Sequence, residues 1–338
     1  MKKRKGEIIE TTQHNTTQHN TTQHNTTQHN TTQLYRLYMR LRKYLPRKMR
    51  LRIQDIHYKI YGRKMPWSHL LFEVHLTDKC SLNCSGCLHF SSLCKDEQYL
   101  CVDDFEEDCK RISVLTNGII TDIKLLGGEP LLHPNVNDII TMTRKYFPTK
   151  DVLNDTGVIE LVTNGILLPK QEDEFWKKCR DNAIRIVISD YPIKIERKLI
   201  KAKAKLFNVD LKMYSDEIKY KVTGSSKQWA KIPIDTNGLQ DYRESFGKCF
   251  LAGNCFQLVK GKIFKCARIA YINYFNTMFN QQLKIDENDY VDIYNVNDIN
   301  EILFKLSTLA LFCRYCKTNE ITWCDTWKVS KMEINEYI

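Results

Sequence analysis

The chain has 338 residues, a net charge of +11, 42% hydrophobic and 27% charged residues, and 13 cysteines. No apolar run is long enough to span a bilayer, and the opening Met1-Lys2-Lys3-Arg4-Lys5 is not followed by the apolar stretch of a secretory signal. The expectation is therefore a cytoplasmic protein, peripheral at most to the inner face of the membrane, whose cysteines bind metal rather than form disulfides.

The charge is unevenly placed. Residues 1–64 carry 15 Lys+Arg against three acids, so the remainder is near neutral. That argues against a nucleic-acid-binding surface over the whole protein. Residues 11–33 read TTQHN four times and then TTQ. An uncharged polar tract without an apolar face cannot offset its ordering entropy, which predicts a disordered tail over 1–33. The unit TTQHN is what a tract of the pentanucleotide ACAAC encodes, because five is not a multiple of three. Slippage by one unit would shift the reading frame, so the hypothesis is a gene switched by replication slippage, as is usual for bacterial genes that alter surface structures. Mixed synonymous codons across the tract would sink it.

Residues 34–66 predict a basic helical arm. Within 34–64 there are 11 Lys+Arg and one acid, Asp55, with apolar residues at helical spacing on both sides of Pro46. Two short amphipathic helices of this kind suit an anionic membrane surface, an acidic partner, or packing on the chain's own body.

From residue 70 strands and helices alternate. Strands are predicted at Leu70–Thr77, Asp122–Leu126, Val158–Thr163, Ala183–Ser189 and Val209–Tyr214. Helices are predicted at Val102–Leu115, Val136–Tyr146, Glu172–Arg180 and Ile193–Leu206. This rhythm indicates an α/β fold with parallel strands and crossover helices over 67–240. Over 241–338 the rhythm is lost, six cysteines appear, and one helix is predicted at Val296–Phe312. That segment reads as a small cysteine-dependent domain.

The sharpest motif is Cys80-Ser-Leu-Asn-Cys84-Ser-Gly-Cys87, directly after the first strand. A cubane cluster normally takes four thiolates, so three on one loop leave a position open, as a reactive site requires. Zinc is the alternative, although zinc sites usually pair two knuckles. Cys94, Cys101, Cys109 and Cys179 are scattered and read as ordinary helix or loop residues. In this motif the chain resembles the radical S-adenosylmethionine superfamily, whose hallmark is C-x3-C-x2-C after strand one. Gly127-Gly128-Glu129-Pro130 follows the second strand, where the family carries its GGE motif against the amino group of the bound methionine moiety. Thr163-Asn164-Gly165 ends the third strand and Ser189 the fourth, at positions where family members meet the cofactor. The aromatic residue usual before the third cysteine is replaced by Gly86, so no adenine contact is assigned.

The resemblance covers about residues 70–215. It implies a partial (β/α)6 TIM-like barrel with a [4Fe–4S] cluster held by three cysteines and S-adenosylmethionine. Reductive cleavage would give a 5′-deoxyadenosyl radical that abstracts hydrogen from a substrate. Cys249, Cys255, Gly261 and Cys266, followed by Cys313, Cys316 and Cys324, look like the auxiliary-cluster region of the SPASM and twitch subfamilies. They imply a second [4Fe–4S] cluster on Cys249, Cys266, Cys313 and Cys316, with Cys255 and Cys324 as substitutes. The substrate is expected to be a peptide or protein, or a carbohydrate or nucleotide-sugar of a surface-glycan pathway, with a reducing electron donor as partner. A non-catalytic iron–sulfur protein and an RNA-modifying enzyme are the alternatives. No general base or nucleophile stands out.

Overall fold

The structure is a computed structural model that describes residues 47–62, 69–148, 157–189, 191–214, 229–324 and 327–338. The predicted tail over 1–33 and the first predicted basic helix lie outside these residues. The chain divides into two units, residues 1–56 and 57–338. Helix α1 (Arg47–Tyr61), the second predicted basic helix, begins directly after Pro46 and runs through the division.

The larger unit opens with β1 (Leu71–His75), α2 (Val102–Thr116), β2 (Asp122–Leu126), α3 (Val136–Tyr146), β3 (Val158–Thr163), α4 (Asp173–Asp181), β4 (Ile184–Ser189), α5 (Arg197–Phe207) and β5 (Asp210–Tyr214). It continues with β6 (Trp229–Lys231), α6 (Tyr242–Lys248), β7 (Gln257–Val259), β8 (Lys262–Phe264), α7 (Ala267–Phe279), β9 (Tyr290–Asp292), α8 (Ile299–Ser307) and β10 (Thr322–Cys324). The main sheet has the order β5-β4-β3-β2-β1-β7-β8-β9, and β6 pairs separately with β10. Strands β1 to β5 run parallel, as βα units must when each crossover is a helix. The sixth parallel strand of this α/β sheet is β7, which joins the free edge of β1 from the C-terminal segment.

Strand alternation sorts the two faces of the sheet. Phe72, Val74, Ile123, Leu125, Ile159, Leu161, Ile186 and Ile188 are buried in one core with Phe105, Ile112, Ile139, Phe175 and Ile200 of the helices. Each such side chain contributes about 1.5–3 kcal/mol on burial. The opposite face carries a charged row in direct register. Glu73 lies opposite Lys124, Lys124 opposite Glu160, Glu160 opposite Arg185, and Arg185 opposite Asp210. Gln257 of β7 extends the row beyond Glu73. Lys124 Nζ stands 3.3 Å from Glu73, and Arg185 stands 3.4 Å from Glu160 and 2.7 Å from Asp210.

Three features depart from the sequence reading. Helix α5 begins at Arg197 rather than Ile193, because residues 191–197 make tight turns in which Ile193 N–H donates to Tyr191 O and Arg197 N–H to Ile195 O. The predicted helix over Val296–Phe312 is shorter. Asp298 caps α8 by accepting from Glu301 N–H, and a separate 3-10 turn, Leu311–Tyr315, carries Cys313. Helix α7 was not foreseen. It is apolar nearly all round, with Ile269, Tyr271, Ile272 and Phe275 buried in a second core beside Phe90, Phe246, Phe312 and Tyr337. Among the described residues no helix is long and apolar enough to cross a membrane.

Candidate functional site

The cysteine loop leaves the C-terminal end of β1, and the turn after β2 is pressed against its root. Gly128 N–H donates to Thr77 O and Glu129 N–H to Lys79 O, both at 2.7 Å. No side chain fits there. A Cβ on Gly127 would lie 2.7 Å from Thr77 O, and one on Gly128 would lie 2.2 Å from Lys79 O. The two glycines thus serve approach of backbone to backbone, at the base of the loop.

Glu129 is fully buried. Its Oε1 accepts from Thr163 Oγ1 at 2.6 Å and from Leu131 N–H at 3.3 Å, and its Oε2 accepts from Asn164 N–H at 2.9 Å. Burial pushes its pKa up, and these donors work against that shift. These bonds tie the end of β3 to the Gly-Gly turn. Asn164 extends the tie, since its Nδ2 donates to Ser81 Oγ of the cysteine loop at 3.1 Å. Ser189 is half-buried at the end of β4, opposite Tyr214.

Cys80, Cys84 and Cys87 are free, half-buried thiols on one loop. Burial pushes Cys80 up, and it pushes Cys84 up to about 11, with the neighbouring thiols adding to both shifts. Burial, and after it the thiols of the loop with Cys84 first, hold the hydroxyl of Tyr191 well above its usual range. Three soft donors on one loop with a supported root fit a cluster with one open iron.

The C-terminal cysteines form a second group. Cys249 follows α6, Cys266 precedes the first turn of α7, Cys313 lies within the turn over Leu311–Tyr315, and Cys316 directly follows it. Burial pushes Cys266 up to about 12 and Cys313 well above its usual range, and each is raised further by the others of the set. Arg268 Nη1 points at Cys316 Sγ from 3.8 Å. Cys255 borders this group but sits closer to the sheet, where after burial Glu73 is the largest influence on it. Cys324 ends β10, with its backbone opposite Trp229. Among the described residues no three His, Cys, Asp or Glu side chains are gathered as a single metal ion requires. A tetrahedral zinc draws its thiolates to about 3.8 Å from one another.

Sequence reasoning missed two sets of neighbours. Trp327 Nε1–H donates to Cys84 Sγ at 3.1 Å from a segment 243 residues away. Asp78 is buried next to the loop. His75 Nε2 lies 3.1 Å from its Oδ1, and the Tyr274 hydroxyl is 2.9 Å from both oxygens. Burial opposes the charge of Asp78, but His75, Gln98 N–H and Tyr274 together hold the carboxyl below its usual range. No local motif announced either set.

Residues 71–180 match the family described as a 4Fe-4S single cluster domain. The match covers 110 of the 338 residues. Over 108 residues it is 31% identical to a GTP 3′,8-cyclase of Trichodesmium erythraeum, covering 31% of this chain and 30% of that protein. A GTP 3′,8-cyclase of Clostridium perfringens is 24% identical over 248 residues, covering 72% of this chain and 64% of that protein. The chain thus spans under a third of the length of the first relatives it matches. Among solved structures, BtrN in complex with AdoMet and 2-DOIA is similar at 14% identity with a TM-score of 0.41, covering 75% of this chain and 94% of that one. Native anSMEcpe with bound AdoMet is similar at 13% identity with a TM-score of 0.40, covering 79% of this chain and 94% of that one.

Proposed function

We propose that this protein is a radical S-adenosylmethionine enzyme that loads a [4Fe–4S] cluster on Cys80, Cys84 and Cys87 and acts on a polar substrate in the mouth of its part-barrel. The observation that carries this reading is three free thiols within the eight residues from Cys80 to Cys87, on a loop whose root is fixed by the Gly127-Gly128-Glu129 turn. When bound, the cluster and S-adenosylmethionine supply a one-electron cleavage that yields a 5′-deoxyadenosyl radical. The chain's own residues hold and shield that site. Glu129, Thr163 and Asn164 lock the loop root to the end of β3, and Thr77 and Lys79 accept the backbone of the turn. Because radical chemistry needs a dry, fixed geometry, such rigidity is its main protein contribution.

Cys249, Cys266, Cys313 and Cys316 hold an auxiliary [4Fe–4S] cluster in this reading, forming a twitch-like domain after the core. The N-terminus of α7 begins at Cys266 and favours the negative charge of such a cluster. The charged row of Glu73, Lys124, Glu160, Arg185 and Asp210 supports a hydrophilic substrate, a carbohydrate or nucleotide-linked sugar or a polar peptide segment, over an apolar one. The test is anaerobic reconstitution with iron and sulfide, then S-adenosylmethionine and dithionite, with 5′-deoxyadenosine quantified beside a Cys84→Ala control. Product in the wild type alone is expected. Equal amounts in both would refute the assignment.

A further inference from the structure

The C-terminal segment lies across the cysteine loop. Ser85 N–H donates to Lys328 O at 2.9 Å and Ser330 N–H to Asn83 O at 2.7 Å. These bonds set Cys84 opposite Val329 in an antiparallel bridge. From the same segment comes the Trp327 indole N–H on Cys84 Sγ, and the Trp327 ring meets Tyr191 edge to face at 6.3 Å. Gly86 sits at φ +66°, and a Cβ on it would come within 3.4 Å of Glu336 O. The loop is shaped to the segment that covers it.

The far end is anchored. Tyr337 is 2% exposed and packs among Phe90, Phe275 and Phe279. Its hydroxyl is 3.1 Å from Ser92 Oγ, and its carbonyl accepts from Ile234 N–H at 2.7 Å. Between anchor and loop, Glu336 accepts from Ser330 Oγ at 2.6 Å and from Lys331 N–H, which closes the turn. A segment anchored at one end by the buried Tyr337 and hydrogen-bonded to the loop at the other is held in place along its length.

We propose that residues 327–338 are a strap that positions the cluster loop, and that the Trp327 N–H is a built-in donor to the Cys84 thiolate that makes the site easier to reduce. The inference rests on the function proposed above. Its physical basis is that reduction adds negative charge which the cysteine sulfurs share. A donor aimed at one of those sulfurs stabilises the reduced form, and hydrogen bonds to sulfur are a main control on cluster potential. Trp327 is thus a positioning residue. It acts through Cys84 and does not need to touch substrate.

The test uses the full chain, reconstituted anaerobically, with a potentiometric titration followed by electron paramagnetic resonance. The loop cluster is recognised because its signal changes when S-adenosylmethionine is added. Trp327→Phe keeps the aromatic packing and removes the donor. It is expected to shift the midpoint potential of that cluster to a more negative value, with iron content and the auxiliary signal unchanged. Ser330→Pro keeps the indole and removes the N–H that reaches Asn83 O, and it is expected to lower occupancy of the loop cluster selectively. An unmoved potential in Trp327→Phe overturns the donor role, and full occupancy in Ser330→Pro overturns the strap. A wild-type chain with no cluster responsive to S-adenosylmethionine would instead overturn the proposed function itself.

Discussion

Replacing Gly128 by alanine tests the claim that the turn after β2 sets the root of the cysteine loop. The new Cβ would lie 2.2 Å from Lys79 O, 2.6 Å from Lys79 C and 2.7 Å from Asp78 O. All three are backbone atoms, so no change of rotamer relieves the overlap. The two backbones must part by about 1 Å to restore ordinary contact. That separation breaks the bonds from Gly128 N–H to Thr77 O and from Glu129 N–H to Lys79 O. Two lost hydrogen bonds cost about 1 kcal/mol each, and the residual strain adds about 1–3 kcal/mol. The expected loss is therefore about 3–5 kcal/mol, together with poor iron retention at the loop. Gly62→Ala is the control. Its Cβ would meet nothing within 4 Å, so only the left-handed φ of +62° opposes it, at about 1 kcal/mol. Chemical denaturation of the metal-free protein gives the stability, and iron and sulfide per chain after reconstitution give the loading. A Gly128→Ala protein that unfolds at the wild-type denaturant concentration and loads iron fully would refute the reasoning.

Three further outcomes are expected. Thr163→Val removes the 2.6 Å donor to Glu129 and the acceptor of Gly165 N–H, and should destabilise the metal-free fold by about 2–3 kcal/mol; a change below about 0.5 kcal/mol in denaturant titration would contradict it. Asp122 is raised by burial from 3.8 to about 7, with Oδ1 buried and unpartnered. The folded state therefore keeps a proton that the unfolded state releases between about pH 4 and 7, and stability falls as pH rises through that window. Asp122→Asn should abolish that slope and stabilise the protein at pH 8 by about 2 kcal/mol, as thermal melts across pH can check. Cys266→Ala should halve the iron content while 5′-deoxyadenosine still forms; loss of all iron would merge the two cysteine groups into one folding unit.

Much of the core was legible because local pattern and global fold agree. The five strands from β1 to β5 alternate with amphipathic helices, and the three cysteines sit in eight consecutive residues. Gly127-Gly128-Glu129 was legible as a site motif, but its use was not. Only the structure brings Lys79 O against Gly128 and Thr163 against Glu129. Helix α7 was hidden because a helix buried all round has no stripe to read, and β7 because three residues are too few for an alternating signal. Trp327, Tyr191 and the His75–Asp78–Tyr274 group were invisible for a different reason. Their meaning lies in contacts between distant parts of the chain, and neither composition nor spacing encodes those.

The charged row across the parallel sheet bears on how the strands find their alignment. A slip by one residue would turn every charge into the helix-packed core, which is prohibitive. A slip by two keeps the faces correct and is the dangerous error. Asp122 guards against it, because moving two residues along would bring it opposite Glu73 on one side and Glu160 on the other, where the native pairing has Lys124. Like charges directly opposed in a sheet are destabilising. The row thus works as a vernier scale whose marks coincide at a single setting, and it holds the mouth of the sheet, where the cysteine loop begins, at one height along every strand.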